Sequence, residues 1–378
     1  VNILFFSSYF HPYVSGLTTY PKTILSFLAK KNNITVLTFP HKPDLSAEDK
    51  LSTDENEIII KRMPSLFQVS KGYISPQSVG LFWSELNKTD RVILNMPNFE
   101  GLSLAILAFV RNKPIICIYH CNVTLGNDLM SRIINVFLNL SVWVQLSLST
   151  TIIAYTRDYV QSIGMMHQFK HKITYTLPPM RQPSVDEEVL KTFLSKKKKK
   201  VWIGYAGRIA REKGIEYLVQ AIKKLNRHDI EIVFAGPYGK DVAGENPYYE
   251  HIVSLLDKSG IPYTFLGNLE GGRLGAFYKA IDILTLPSIN QTEAFGIVQA
   301  EALMTGTPVI ASNLPGVRVP IQKTGMGIIV EPKNSNDLAD AVRAILAKPS
   351  NYASSKMQTN AQNIFDIKKT YKTFEKIL

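Results

Sequence analysis

Over the first 177 residues, short β-branched or aromatic runs alternate with longer stretches of helical spacing. Asn2 to Phe6, Thr35 to Phe39, Ile58 to Lys61, Val92 to Asn95, Ile115 to Tyr119, Ile152 to Tyr155 and Ile173 to Thr176 predict strands. Thr19 to Lys30, Ser78 to Leu86, Leu102 to Arg111, Leu129 to Leu148 and Asp158 to Ile163 predict helices between them. This alternation implies a parallel sheet with helices on both faces. The uncharged stretch Ile133 to Thr156 is membrane-like in length. It contains Asn135, Asn139, Ser141, Gln145, Ser147, Ser149, Thr150 and Thr151, so it reads as a buried helix to about Leu148 followed by a strand.

The pattern changes at Pro178, Pro179 and Pro183, where a short helical stretch leads into the basic run Lys196 to Lys200. Residues 178–200 are read as a solvated linker. Strand patterns then resume at Val201 to Tyr205, Glu231 to Ala235, Tyr263 to Leu266, Ile283 to Leu286, Val309 to Ala311 and Gly327 to Val330. Helical patterns at Glu216 to Leu225, Tyr249 to Lys258, Leu274 to Ala280, Gly296 to Met304 and Asn336 to Ala347 lie between or after them. The expected organisation is a first α/β domain over 1–177, a linker over 178–200, a second α/β domain over 201–350 and a helical tail over 351–378, which is free to pack back on the first domain.

Composition narrows the chemistry. Among 378 residues, 45% are hydrophobic and 20% charged, values of a globular chain. Two cysteines, Cys117 and Cys121, build neither a disulfide framework nor a four-cysteine zinc site. The formal charge of +12 is spread over both halves, which argues against a nucleic-acid arm. It favours anionic small molecules, with an acidic membrane surface as a further candidate. No secretory signal pattern opens the sequence, so a cytoplasmic protein is expected. His167 and His171 stand four apart, but Gln168 occupies the place where a zinc protease needs Glu, and no metal site is assigned.

Ligands of doubly wound sheets bind where strands end, which gives weight to three loops. Ser7 to Thr18 follows the first strand and carries Gly16 just before a helix. Gly207-Arg208 to Lys213-Gly214 follows Val201 to Tyr205 and sets two cations where a loop turns into a helix, suited to a diphosphate. Pro287 to Leu303 follows Ile283 to Leu286 and contains Glu293 and Glu301 with seven residues between them. Glu301 lies among Val298, Ala300, Ala302 and Leu303, an apolar setting that a solvated glutamate does not need.

In this order, with His120 ending the run Ile115 to Tyr119, these loops resemble the retaining GT-B glycosyltransferases of family 4 over nearly the whole chain. The resemblance implies two doubly wound Rossmann-like domains facing across a cleft. It also implies transfer of a sugar from a UDP- or GDP-linked donor to a glycan or lipid-linked acceptor in cell-surface polysaccharide or glycolipid synthesis, with no cofactor. On that basis Glu301 binds the ribose, Arg208 and Lys213 the diphosphate, and Glu293 with the backbone of Ala294, Phe295, Gly296 and Ile297 the donor sugar. His120 contacts the sugar or assists the reacting centre, Gly16 lets its loop meet the β-phosphate, Gly207 belongs to the substrate-binding set beside Arg208, and Leu266 and Asn268 lie in the segment that accommodates the base. Family members commonly carry Gly-Gly and a glutamate where this chain has Asn313 to Arg318, so those residues receive no role.

No Asp-x-Asp pair is present, so Arg208 and Lys213 are expected to take the place of a metal ion on the leaving group. Peripheral attachment to the inner face of a membrane is expected through the basic excess. Three other readings are weighed: a GT-B nucleotide-sugar epimerase, a non-catalytic nucleotide-sugar-binding relative, and an NAD-binding protein. The charged set disfavours the first two, and the lack of Gly-x-Gly-x-x-Gly after any strand disfavours the third. Acceptor selection is assigned to the first domain, where the loops Lys42 to Glu57 and Pro64 to Pro76 match no known pattern.

Overall fold

A computed structural model describes residues 1–12, 16–40, 51–69, 72–124, 126, 128–242 and 244–378. The chain divides into two compact units, Val1–Pro179 with Lys368–Leu378, and Met180–Ile367.

The first unit carries β1 (Asn2–Phe6), β2 (Asn33–Thr38), β3 (Leu51–Thr53), β4 (Ile59–Arg62), β5 (Phe67–Val69), β6 (Gly72–Ile74), β7 (Arg91–Met96), β8 (Ile115–Tyr119), β9 (Thr151–Ala154) and β10 (Ile173–Tyr175). Its helices are α1 (Gly16–Leu28), α2 (Ser78–Leu86), α3 (Gly101–Val110), α4 (Leu129–Leu148) and α5 (Arg157–Gln161). The main sheet runs β10-β9-β8-β7-β1-β2-β4-β3, parallel except for the β3–β4 pair, and β5 with β6 forms a separate ribbon. All five residues of β8, Ile-Ile-Cys-Ile-Tyr, are buried, as expected of a strand covered on both faces. The short strands β3, β5 and β6 escape the sequence pattern because three residues are too few to show an alternation. Residues 41–50 of the first unread loop lie outside the described residues.

In the second unit, α6 (Glu187–Lys197) precedes β11 (Val201–Ala206), α7 (Ile215–Leu225), β12 (Ile230–Ala235), α8 (Asn246–Ser259), β13 (Tyr263–Phe265) and α9 (Gly271–Ala280). There follow β14 (Ile283–Leu286), α10 (Ile297–Thr305), β15 (Val309–Ser312), α11 (Val319–Thr324), β16 (Gly327–Val330), α12 (Ser335–Ala347) and α13 (Ser355–Ile364). The sheet is parallel throughout in the order β13-β12-β11-β14-β15-β16. Ile203, Tyr205, Ile232 and Phe234 from the strands meet Leu218, Ile222, Ile252 and Val342 from the helices in one core. Each such side chain contributes roughly 1.5–3 kcal/mol by leaving water. Both sheets reverse strand order beside their first strand, at β1/β7 and at β11/β14, and this is where doubly wound proteins hold ligands.

Three expectations need correction. Residues 180–200 are not a solvated linker: α6 packs on α9, the Asp186 amide donates to the Gly272 carbonyl, and Phe193 meets Trp202 edge-on. Within the lysine run, Lys197 pairs with Asp282 at 2.7 Å and Lys200 with Glu231 at 3.1 Å, while Lys196, Lys198 and Lys199 are exposed. The region beyond residue 350 is also divided. α13 belongs to the second unit, and α14 (Ile367–Ile377) joins the first from Lys368 onward, stacking Tyr371 on Phe27 and donating from Thr370 to the Leu177 carbonyl. Finally, α4 has the predicted bounds but is not buried. Ser141, Val142, Gln145 and Leu146 are its only buried residues, while Val136 and Phe137 are 65% and 57% exposed. The inward polar groups have partners: Gln145 donates to the Asn98 carbonyl and Ser141 to the Phe99 carbonyl.

Candidate active site

The carboxyl edge of the second sheet is built by backbone contacts that admit only glycine. Gly207 (φ 139°) donates to Ala235 and Gly236 (φ 135°) to Gly267, tying the ends of β11, β12 and β13 together. A Cβ on Gly236 would lie 2.2 Å from the Gly207 carbonyl oxygen. Gly214, left-handed at φ 63°, sits so close to the loop after β14 that a Cβ would meet the Pro287 carbonyl at 2.5 Å. The Ile289 amide donates to the Glu212 carbonyl from the other side. The loop after β11 and the loop after β14 are therefore one packed structure at the β11/β14 switch point.

This structure brings the charged residues together. Lys213 Nζ lies 2.5 Å from Glu293 Oε2, and both side chains are largely buried. Arg208 is more open and pairs with Glu212 at 2.8 Å. A diphosphate at this edge would compete with Glu293 and Glu212 for the two cations. Gly296 (φ 74°) turns the chain into α10, which has no side-chain cap, so the positive end of the helix faces the same loop. Ala294 and Phe295 are buried, and Phe295 packs edge-on against Phe365, which leaves their backbone as the part able to meet a ligand.

Glu301 lies in the second turn of α10, partly buried. Its Oε2 accepts from the Tyr278 hydroxyl at 2.7 Å, and Oε1 has no partner among the described residues. Burial raises its carboxyl to about 7, partly offset by the Tyr278 hydrogen bond. A carboxylate anchored on one oxygen and open on the other is suited to a diol. Leu266 and Asn268 follow β13 on the same edge. The Leu266 amide donates to Phe234, and Asn268 is exposed with its amide on Glu270.

Gly16 and His120 stand on the first unit. Gly16 is exposed as the first residue of α1, with nothing within 4 Å of where a Cβ would stand, so no contact within the described residues requires a glycine there. Residues 13–15 of its loop lie outside the described residues. His120 is 2% exposed, at the end of β8. Asn95 donates to Ser7 Oγ at 3.0 Å, and Ser7 donates onward to the Tyr9 carbonyl at 2.6 Å. Asn95 Oδ1 therefore faces the imidazole, where it can only accept from Nε2–H at 2.5 Å, leaving Nδ1 to accept from the Tyr155 hydroxyl. Burial lowers the imidazole to about 3, so it is neutral. A sugar contact by either ring nitrogen, as the resemblance implies, requires Asn95 or Tyr155 to give way.

Several supporting residues carry no sequence signal of their own. Gln299 Nε2 bridges the Phe295 and Val317 carbonyls from inside α10, fixing the loop that leads into it. Tyr278 orients Glu301, and Glu100 holds Ser8 and the Tyr73 amide beside the first strand. A glutamine among apolar residues is the one visible trace of the first of these. Asn313 to Arg318, given no role, is tied internally by Arg318 to Asn313 at 3.1 Å. His167 turns to the Gln161 carbonyl, and no three His, Cys, Asp or Glu side chains among the described residues are grouped to hold a metal ion.

Residues 186–364, just under half of the chain and almost the whole second unit, match the family described as glycosyl transferases group 1. An uncharacterized glycosyltransferase of Methanocaldococcus jannaschii is 35% identical over 146 residues, 38% of this chain and 35% of that one. A D-inositol 3-phosphate glycosyltransferase of Corynebacterium jeikeium is 34% identical over 146 residues, 37% of this chain and 34% of that one. The matched segments thus span about a third of these relatives. Among solved structures, sucrose-phosphate synthase from Thermosynechococcus elongatus superposes with a TM-score of 0.81 at 17% identity, covering 100% of this chain and 98% of its own. The Anabaena protein HepE in complex with UDP and glucose gives 0.77 at 16%, covering 100% and 98%. The fold is GT-B, with two Rossmann-like units, and the chain resembles the family 4 glycosyltransferases.

Proposed function

We propose that the protein is a retaining glycosyltransferase that moves a hexose from a UDP- or GDP-linked sugar to a glycan or lipid-linked acceptor in cell-surface polysaccharide or glycolipid synthesis on the cytoplasmic side of a membrane. The observation that carries this reading is the Lys213–Glu293 pair at the β11/β14 switch point, locked in place by Gly214, with the open Oε1 of Glu301 on the adjoining helix. The names of the relatives and the UDP held by HepE support it.

Glycosyl transfer leaves charge on a departing diphosphate. Lys213 and Arg208 would neutralise it as fixed cations, with the amide end of α10 contributing its dipole. Glu301 would hold the ribose diol and Glu293 a sugar hydroxyl. As the diphosphate draws Lys213 toward itself, Glu293 is released to the sugar. Attack from the face that the diphosphate leaves would retain configuration without a protein nucleophile. Gly16, His120 and the first sheet's carboxyl edge would serve the acceptor and the reacting centre. No metal ion enters this scheme.

A thermal-shift screen of UDP, GDP and ADP sugars in the presence of chelator tests it. One class at 100 times its dissociation constant should stabilise the protein by about 2.7 kcal/mol. With an acceptor extract, the same donor should release nucleoside diphosphate at an undiminished rate under chelation. Turnover lost to chelator and restored by magnesium or manganese would overturn the role of the two cations. Free sugar or an epimer formed from donor alone would overturn the transferase reading.

A further inference from the structure

Four side chains from adjacent strand ends form one hydrogen-bonded row across the carboxyl edge of the first sheet. Ser7 follows β1, Asn95 lies near the end of β7, His120 follows β8 and Tyr155 comes just after β9, and these strands are neighbours in the order β9-β8-β7-β1. All four residues are buried. The row has a single polarity, because it starts on a group that can only accept. The Tyr9 carbonyl takes the Ser7 hydroxyl proton, so Ser7 Oγ accepts from Asn95 Nδ2 and Asn95 Oδ1 is turned to the imidazole. His120 therefore carries its proton on Nε2, and Nδ1 accepts from the Tyr155 hydroxyl. Burial alone lowers the imidazole, with no charged side chain contributing, so nothing beside it favours the imidazolium. The ring is equipped to accept a hydrogen bond at Nδ1 and not to deliver a proton.

The two partners of the imidazole are not held alike. Asn95 is fixed from behind by Ser7 and lies within a strand, in register with Ile118 of β8. Tyr155 lies beyond the last residue of β9 and is the most exposed of the four, at 9% against 2–5%. Rotation of its side chain withdraws the hydroxyl without opening a strand pair, whereas moving Asn95 breaks the row. Tyr20, one turn into α1, packs against both rings, edge-on to the imidazole at 4.9 Å and tilted to Tyr155 at 5.7 Å. Its hydroxyl is buried and has no hydrogen-bond partner among the described residues. A buried hydroxyl left without a partner is a standing cost that a polar ligand beside it removes.

We infer that Ser7 and Asn95 are positioning residues that hold His120 in its Nε2–H form, and that Nδ1 accepts from a sugar hydroxyl of the substrate in the place that the Tyr155 hydroxyl occupies without it. The sugar hydroxyl replaces the bond it displaces, donor for donor, and no proton changes owner. A sugar lacking that hydroxyl leaves Tyr155 on the imidazole, so the exchange selects for it. The sugar contact rests on the glycosyltransferase reading, while the form of the imidazole does not.

The first readout is nuclear magnetic resonance of the full chain with isotope-labelled histidine, the His120 signals being identified by their loss in His120→Gln. The unsubstituted protein at neutral pH should show His120 in one form, with Nε2 protonated and Nδ1 bare. Tyr155→Phe should keep that form, because Asn95 sets it. Asn95→Leu should lose it, and Asn95→Asp, which restores an acceptor, should again protonate Nε2. A proton on Nδ1 in the unsubstituted protein, or an unchanged form in Asn95→Leu, would overturn the positioning role. Should Asn95→Leu not fold, loss of the form in Tyr155→Phe would do the same. The second readout concerns the exchange, since Tyr155→Phe deletes the hydroxyl that a sugar has to displace. If the hydroxyl belongs to the donor, affinity for the nucleotide sugar relative to its nucleoside diphosphate should rise by about threefold or more. If it belongs to the acceptor, that ratio stays and the half-saturating amount of acceptor extract should fall by about the same factor. Neither change would overturn the exchange. Failure of the unsubstituted protein to bind any nucleotide sugar would overturn the donor reading and the sugar contact with it, and the form of the imidazole, which needs no ligand, would still decide the role of Asn95.

Discussion

The two sheets share a reversal of strand order beside their first strand but use it differently. At the carboxyl edge of the second sheet, Gly207, Gly214, Gly236 and Gly296 are all at positive φ and in close contact, and the charged groups are paired or anchored. At the same edge of the first sheet, Gly16 has open space around it, and α4 projects an apolar face. The family match falls on the second unit alone. A donor common to many enzymes needs fixed backbone geometry, which a sequence can preserve only with particular residues. An acceptor that differs between enzymes places its demands on surfaces, where many residues serve.

The largest effect that would break this contrast is on turnover. Lys213→Met removes the cation nearest Glu293 and should lower kcat by 10²–10³, about 2.7–4 kcal/mol in the barrier, measured at a temperature where the variant is folded, since Glu293 loses its partner. A loss under tenfold would mean that the diphosphate is neutralised elsewhere. Next comes Gly236→Ala, whose methyl meets the Gly207 carbonyl in a backbone conformation unfavourable to alanine. It should cost the second unit on the order of 3 kcal/mol in denaturant unfolding. A cost under 1 kcal/mol would show that the edge can yield.

Glu301→Gln should weaken nucleoside diphosphate binding by about 1.5–3 kcal/mol. The pH dependence has a definite sign. Because the folded carboxyl titrates near 7 rather than 4.5, the native state holds a proton that the unfolded chain has lost between those values. The Glu301 contribution to stability is then present at or below pH 4.5 and is lost as pH rises to 7. Nucleotide affinity should run the other way, rising as the carboxylate forms, and Glu301→Gln should flatten both trends. His120, neutral above about 3, should leave no inflection in this range, so His120→Ala should change the rate without moving the acid limb. The smallest effect is that of Gly16→Ala: unfolding free energy within about 1 kcal/mol of the original, with turnover reduced if the open space at Gly16 is used by substrate. Loss of stability instead would make the first edge as constrained as the second.

Much of the fold was legible because β-branched runs such as Ile115 to Tyr119 and Ile283 to Leu286 are continuous and flanked by turns, and both strands have the predicted bounds. α11 was missed since Val-Pro-Ile-Gln-Lys-Thr is shorter than two helical turns and carries a proline. The burial of α4 was misread because its polar residues argue against a spanning helix without showing which side chains turn inward; Ser141 and Gln145 do so beside Val142 and Leu146, through hydrogen bonds to backbone carbonyls. The candidate site residues of the second unit could be named from spacing after strands. The supports Tyr278 and Gln299 could not, since their roles depend on which carbonyl or carboxylate the packing brings near.

The central claim is that one edge of the second sheet divides a nucleotide sugar between Glu301 and Glu293, and titration calorimetry tests it most directly. The unsubstituted protein, Glu301→Gln and Glu293→Ala are each titrated, in chelator, with whichever of UDP and GDP the unsubstituted protein binds. Glu301→Gln should weaken binding at least tenfold. Glu293→Ala should leave it equal or tighter, since Lys213 loses its carboxylate partner and the ligand lacks the sugar. Unchanged affinity in Glu301→Gln, or a matching loss in both variants, would contradict the division of roles.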